Sequence, residues 1–586
     1  MHPAPNTEQT NSFSDAMSSL LDKKWFQAVL LLALAGVILF SRADNLASYA
    51  TADEPYYLKN AANFYYLLRE GRFGETDLIV HPGVTTLWSG ALAFWIYFPG
   101  YVQDEEATFP ISDFHLKYVI ERAGLNKESM LAASRRFSVV FQTALLVAAF
   151  YFGWQVFGLY PALLAILLVS FDPFYLANAR ILQPDGMLAA CMLLGITALL
   201  AFLHTRSRRA LLVSGLAAGL AVLSKVPGVF LLPMTALLFA ADWWWGQRED
   251  CRTRQGLAVR LRRYLLWLGL TLVVIFVLWP VMWVEPVEAL KKLFEFTASA
   301  SAEVNSPMFF NGKIVPEGEF GAEYFYYYPL TFLWRTTPVV LVGFICGLAG
   351  FWLDKGALKR EGHQRFPLIA YLAAALLFIG LFTFSAKKFD RYILPAILYL
   401  DVVAALGYAA FFSSLKRKFL KKNTPRTLMN TLTVIPLIIL AGWQAWLALG
   451  SAPYFHSYYN PWLGGLDKAQ QVMMVGWGEG LDEAAGYLNQ KLANEPLEVY
   501  AFYSAAFDIH YHGRSNELPI SAPISDTLFN QIQNADYAVI YISQRQRNSS
   551  ARVLEFLEKK QAEYVVKIHG VEYIWVYDIA EISGAQ

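Results

Sequence analysis

The feature that most constrains this chain is a series of long apolar runs, at about 26–41, 136–157, 160–178, 186–203, 210–224, 228–245, 264–283, 332–352, 367–385, 392–412 and 428–449. Each approaches the ~20 residues a helix needs to cross the ~30 Å hydrocarbon core, where every backbone polar group must be satisfied internally. Composition agrees: only 16% of the 586 residues are charged and 56% are hydrophobic, against roughly 25% charged in a soluble domain. The expected fold class is therefore an α-helical polytopic membrane protein with about eleven transmembrane helices, not a barrel.

Charge placement orients the spans. A polar segment at 1–24 ends in Lys23 and Lys24, and no small-residue cleavage site follows, so a retained first anchor with a cytoplasmic N-terminus is expected. Starting inside, the loops carrying Arg206, Arg208 and Arg209, Arg248 through Arg263, Lys355 to Arg365, and Lys416 to Arg426 all fall on one face, as the positive-inside rule requires. The other face receives 42–135, 284–331 and 452–586. Within the first piece, helices are expected at 56–70 and 84–100. The second of these, VTTLWSGALAFWIYF, is apolar, but making it a span would put every basic cluster outside, so it is expected to lie at the interface.

The last piece has another texture. GWGEGLDEAAGYLNQKL reads as a capped helix, LEVYAFYSA and ADYAVIYIS as strands, ARVLEFLEKKQ as a helix, and AEYVVKIHGVEYIWVYDI as a hairpin turning at Gly570. The domains expected are a tail at 1–24, a transmembrane unit at 25–451 and a small extracytoplasmic α/β domain at 452–586. A net charge of +1 points to no nucleic-acid partner. Cys191, Cys251 and Cys346 offer neither a disulfide framework nor a metal cluster.

Polar residues beside span ends on the outer side then stand out. Asp53 and Glu54, followed by Tyr56 and Tyr57, come after the first run; His81-Pro82-Gly83 precedes the interfacial helix. Arg180 and Asp185 bracket the turn in ANARILQPDGML, Lys225 sits in LSKVPG, and Lys387, Lys388 and Arg391 lie in SAKKFDRYILPA. Singly, the acids suit helix N-termini and the lysines suit headgroups. Together, cations on the less basic face point to a lipid-linked phosphate or pyrophosphate. Carboxylates beside them suit general-base work. DWWWG at 242–246 falls on the basic face and reads as an aromatic belt. The tyrosines of EYFYYYPL at 323–330 suit either sugar stacking or an interface.

The Asp-Glu pair, HPG before an apolar helix, Arg-x-x-x-x-Asp at 180–185, Lys-x-Pro-Gly and K-F-D-R-Y-I-L-P together resemble the GT-C glycosyltransferases over roughly residues 25–400. Within them the chain is most similar to the protein O-mannosyltransferases and the aminoarabinose transferases acting on lipid A. The resemblance implies a GT-C fold and inverting transfer of a sugar from a polyprenyl-phosphate donor to a protein, lipid or glycan acceptor on the non-cytoplasmic face. It implies Asp53 as base or acceptor-orienting acid with Glu54 its neighbour, and Asp185 and Arg180 in the same cavity. Lys225, Lys387 and Arg391, with Arg180, would bind donor phosphate; His81 matches an HPP or KPP position and with Tyr56 and Tyr57 would face substrate. HPG departs from the usual HPP, and 284–331 carries no β-trefoil insertion. No DxD signature is present, so no metal is assigned and metal dependence is open.

A transporter or flippase of a lipid-linked substrate, in which the same charges bind cargo, is the alternative. Such proteins carry internal repeats or broken midplane helices, and the sequence suggests neither. A scaffold whose C-terminal domain binds a partner is a third reading, under which Asp53 is dispensable.

Overall fold

The computed structural model describes residues 23–579 except 80, 247–250, 301–306, 354–361, 386, 420–425, 493–496, 520–523 and 560. Residues 1–22 of the expected tail at 1–24, Arg248, and the basic residues at 355–360 and 420–425 lie outside the described residues.

Every apolar run is helical. Seven described helices are long and apolar enough to cross a membrane: Lys24–Ala43, Lys127–Phe157, Pro184–Thr205, Val226–Trp245, Arg254–Leu278, Phe366–Thr383 and Asp390–Lys416. Two further runs are bent pairs, Leu159–Ser170 with Pro173–Ala179 at 64° and Ala322–Arg335 with Pro338–Ala349 at 116°. This corrects the expectation of unbroken spans at 160–178 and 332–352. Both breaks have local causes. Asp172 leaves the helical region and its carboxylate accepts the Tyr175 N–H, with Pro173 opening the new helix; the Thr337 hydroxyl caps Val340 N–H one residue before Pro338. Proline at a helix start costs nothing, whereas continuing the old helix through it would lose a backbone bond. The two remaining runs are the 17-residue helix Arg208–Ser224 and the helix Arg426–Leu449, which contains Pro436.

Pro184–Thr205 is the axis of the bundle, with every residue from Pro184 to Leu203 buried. At 1.5 Å per residue its 22 residues span about 33 Å, close to the hydrocarbon thickness. Arg208–Ser224 and Lys127–Phe157 pack along it. The apolar helix Val84–Tyr97 has 14 residues, about 21 Å, too short to span. It lies on Glu54–Glu70 so closely that a Cβ on Gly90 would come within 2.3 Å of the Ala61 Cβ.

Beyond the last long helix the chain builds a five-stranded mixed sheet from β3 (Val499–Ala501), β4 (Ser515–Glu517), β5 (Tyr537–Tyr541), β6 (Tyr564–Ile568) and β7 (Val571–Asp578), in the order β4-β3-β5-β7-β6. β3 pairs parallel with β4 and β5; β7 pairs antiparallel with β5 and β6. The hairpin turns at His569-Gly570, both at positive φ. LEVYAFYSA forms only the three-residue β3 before the helix Ser504–His510, while β4 comes from polar sequence and the short helix Asp526–Gln533 puts Leu528, Phe529 and Ile532 on one face.

This sheet module is seated on the loops at 42–135 and 284–331. A short hairpin of β1 (Met308–Phe310) and β2 (Lys313–Val315) meets it where Asn311 N–H donates to Val472 O at 2.6 Å. Lys117 Nζ donates to Tyr511 O at 2.7 Å and Gly513 O at 2.8 Å, and His510 Nδ1 lies 2.8 Å from Glu128.

Candidate active site

The helix Glu54–Glu70 begins with Asp53 at its N-cap position and Pro55 in the first turn. Its two acids do different work. Glu54 is fully buried: its carboxylate ion-pairs with Arg135 and accepts Thr51 N–H at 2.9 Å, Thr51 Oγ1 at 3.1 Å and Leu182 N–H at 2.6 Å. Arg135 in turn donates to Leu46 O and Tyr49 O. The Glu54 carboxylate is spent on tying its own loop to Arg135 of the Lys127–Phe157 helix and to the turn at Leu182. Asp53 instead keeps 40% of its side chain exposed, and among the described residues its one ion pair is with Arg391, 3.1 Å away.

Arg391 links two acids from distant parts of the chain. Its second contact is Asp185, with Nε 3.8 Å from Oδ2. Asp185 opens the axial helix, is only 4% exposed, and takes Lys225 Nζ at 2.8 and 3.1 Å. Lys225 follows the C-terminus of Arg208–Ser224, where the chain turns into a tight helix at Val226–Phe230, and its ammonium lies over the Tyr392 ring at 4.7 Å. The row Asp53–Arg391–Asp185–Lys225 thus joins four segments.

Lys387 stands beside this row. Burial, then the Arg391 and Lys225 charges, presses its ammonium below the ordinary lysine range, and among the described residues no carboxylate pairs with it. Its neighbour Lys388 is spent: its ammonium holds Phe320 O at 3.0 Å and Gly321 O at 3.1 Å. Three cations against two carboxylates leave the cluster with an excess positive charge, the balance that favours an arriving phosphate.

His81 closes one side. Its Nε2 is 3.3 Å from the Tyr57 hydroxyl and its Nδ1 is buried without a partner among the described residues. Burial and the nearby Lys225 push the imidazole down to about 3, so it is neutral. Tyr57 is buried, with its phenol raised by that burial and by Asp53. Tyr56 is 38% exposed and its hydroxyl reaches Leu78 O at 3.5 Å.

Arg180 is elsewhere. Its guanidinium donates to Ser41 O at 3.3 Å, Arg42 O at 2.9 Å and Asp44 O, over the Phe455 ring. It caps the open carbonyls at the end of Lys24–Ala43, where a cation is favoured, and does not share the cluster with Asp185. The residues the sequence reading missed are Arg135, which gave no signal at the edge of an apolar run, and Trp477, which comes from the C-terminal module and lies over the Arg391 guanidinium at 4.1 Å. Arg335 and Asp390, paired at 2.6 and 2.9 Å, brace the turn just before Arg391.

Other sequence candidates resolve structurally. Asp242 of DWWWG is clamped by Arg206 at 2.8 Å and Arg260 at 2.9 Å, at the opposite end of the axial helix from Asp185. Tyr327 and Tyr328 are buried in a ring cluster with Phe310 and Phe320. Among the described residues, no group of three or more His, Cys, Asp or Glu is placed to hold a metal ion.

Residues 107–288 match the family model described as dolichyl-phosphate-mannose-protein mannosyltransferase, a stretch that contains Asp185 and Lys225. No curated protein matches the chain. Among solved structures, ArnT from Cupriavidus metallidurans bound to undecaprenyl phosphate is 16% identical with a TM-score of 0.43, covering 95% of this chain and 99% of that one. The archaeal oligosaccharyltransferase AglB from Archaeoglobus fulgidus, in complex with an inhibitory peptide and a dolichol-phosphate, is 13% identical with a TM-score of 0.48, covering 94% and 74%. The Pmt1-Pmt2 complex of S. cerevisiae bound to the sugar donor is 16% identical with a TM-score of 0.35, covering 47% and 36%.

Proposed function

We propose that this chain is a membrane glycosyltransferase that moves a sugar from a polyprenyl-phosphate carrier to an acceptor hydroxyl or amine on the non-cytoplasmic face, with inversion at the anomeric carbon. The observation that carries the reading is the row Asp53–Arg391–Asp185–Lys225 flanked by Lys387, in which a half-buried, solvent-reachable carboxylate stands next to a net cationic cluster at the end of the axial helix. The match of residues 107–288 to the mannosyltransferase model supports the same chemistry.

The roles follow from exposure. Asp53, open to solvent, takes the proton from the acceptor as its oxygen or nitrogen attacks the anomeric carbon. The bond from that carbon to the phosphate oxygen breaks, and the electron pair leaves with the carrier phosphate. Arg391, Lys225 and Lys387 stabilise that anion, electrostatic help aimed at charge that develops in the transition state. Asp185, buried against Lys225, positions the two cations. His81, Tyr57 and Tyr56 line the substrate side. Glu54 and Arg180 are left out of the chemistry, because their polar atoms are committed to backbone and to Arg135.

The basic loops around Asp242 and the cluster around Asp185 sit at opposite ends of one membrane-length helix. With the positive-inside rule, this supports a cytoplasmic N-terminus and an outer-face C-terminal module, the transmembrane unit covering 25–451 and the module 452–586.

The test is turnover of polyprenyl-phosphate sugars by the protein in nanodiscs, wild type beside Asp53→Asn, following donor loss and free carrier phosphate together. Loss of a positioned base is expected to cost about 10²–10⁴ in rate, with donor binding retained. The two bent spans mean that unbroken helices no longer argue against transport. If both proteins bind donor alike and neither consumes it across sugars and acceptors, a transporter is the better account.

A further inference from the structure

We infer that Trp477 is a positioning residue of the transfer site, through which the C-terminal module holds Arg391 in place between its two carboxylates. The inference rests on the transferase reading and deepens it: the module becomes part of the active site.

Trp477 belongs to the strap G-W-G-E-G at 476–480, whose three glycines all have positive φ. The strap is tied to both halves of the protein. On the membrane side, the Trp477 carbonyl accepts Ala52 N–H at 2.9 Å, one residue before Asp53. Gly478 presses on the same segment; a Cβ there would stand 2.2 Å from the Ala50 carbonyl oxygen. On the module side, Gly478 N–H donates to the Tyr541 hydroxyl at 2.9 Å, and that hydroxyl reaches Glu479 Oε2 at 3.0 Å. Tyr541 ends β5 of the sheet. Glu479 is buried and also accepts Trp477 N–H. The strap therefore has little freedom.

The indole so fixed lies 4.1 Å under the Arg391 guanidinium, with Phe389 adding a second ring at 4.7 Å. The His456 ring meets the indole edge-on at 5.5 Å. A planar guanidinium on an aromatic face keeps its N–H groups pointing outward in one plane, which here is toward Asp53 and Asp185. Arg391 has long rotatable bonds and a charge to place; an aromatic floor removes conformers that would let it follow Asp53 or the donor phosphate alone. A plain packing role would ask only for volume. A cation–π role asks for a ring.

That difference sets the experiment, on the full chain in nanodiscs. Trp477→Leu, with folding followed by Tm, is expected to weaken binding of polyprenyl phosphate and transfer roughly five- to thirtyfold, the range of one partly buried cation–π contact. Trp477→Phe should recover most of that loss. In an Arg391→Gln background, Trp477→Leu should weaken polyprenyl phosphate binding no further, the signature of two residues acting as one. Equal behaviour of Leu and Phe, or an undiminished Leu effect without Arg391, overturns the inference. If the wild type transfers no sugar, the transferase reading fails, and the binding measurements still decide whether Trp477 acts through Arg391.

Discussion

Asp53 and Glu54 are adjacent carboxylates with opposite fates, and the difference is solvation. Glu54 is fully buried with a guanidinium, a hydroxyl and two backbone amides around it, so its charge is affordable only while every partner stays. Glu54→Gln keeps the shape but leaves Arg135 as a buried cation without its counter-ion. Breaking such a pair costs about 3–5 kcal/mol. The expected outcome is a large fall in Tm, with activity per folded molecule close to wild type, whereas Asp53→Asn should leave Tm nearly unchanged and remove turnover. Reversal of that pattern would move the base to Glu54. The sequence marked both residues, since an acid pair at a helix start is visible as spacing. It could not separate them, because the partner that decides, Arg135, is 81 residues away at the edge of an apolar run. Arg180 misled for the same reason: a cation at a span end looks alike whether it faces a ligand or caps the carbonyls of Lys24–Ala43.

Two connecting segments hold histidines kept neutral, half-buried His81 and buried His456. His81, in the loop before Val84–Tyr97, gives Nε2 to Tyr57 and faces Lys225, Lys387, Arg391 and Asp185; His456, in the turn at Phe455–Ser457, gives Nδ1 to Tyr49 and faces Arg335, Arg391, Arg135 and Asp390. Burial, more than any one charge, pushes each down to about 3. In the unfolded chain they return to about 6.5. The unfolded state therefore binds more protons between these values, and the stability that neutral burial permits, full above about 6.5, is lost as pH falls toward 3. Tm measured from pH 7.5 to 4 should decline, and His81→Asn or His456→Asn should flatten the decline; an unchanged slope in both variants would contradict the assignment. At this scale the sequence was most readable where a period was long. Apolar runs of span length and the Gly570 hairpin are written in hydropathy and turn chemistry. The breaks at Asp172 and Thr337 were not, since a Pro after a polar residue inside an apolar run also fits a kinked span. The β1–β2 hairpin turns on Asn311-Gly312, both at positive φ, a local turn signal that the sequence reading passed over, whereas short β4 owes its form to pairing with β3.

As a whole, the molecule separates its charges along one helix. The carboxy end of Pro184–Thr205 carries Arg206, paired with Asp242 beside Arg260; the amino end carries Asp185 with Lys225 and Arg391. The two charged clusters, about 33 Å apart, are separated by a helix buried on every side by its neighbours, a distance that matches the ~30 Å hydrocarbon core. Which cluster faces the cytoplasm is then a question for the loops, and the basic ones side with Asp242. The sheet module docks at the Asp185 end through Trp477, so it must share a side with the proposed transfer site. In a background with Cys251 and Cys346 replaced by Ser, Glu555→Cys on the module and Gln255→Cys in the basic loop, both exposed, give the readout. A membrane-impermeant maleimide applied to intact cells should label position 555, and position 255 only after permeabilisation. The opposite pattern would place Asp53, Arg391 and the module in the cytoplasm. The donor would then have to present its sugar on the inner leaflet, and the positive-inside assignment of every described basic loop would fall with it.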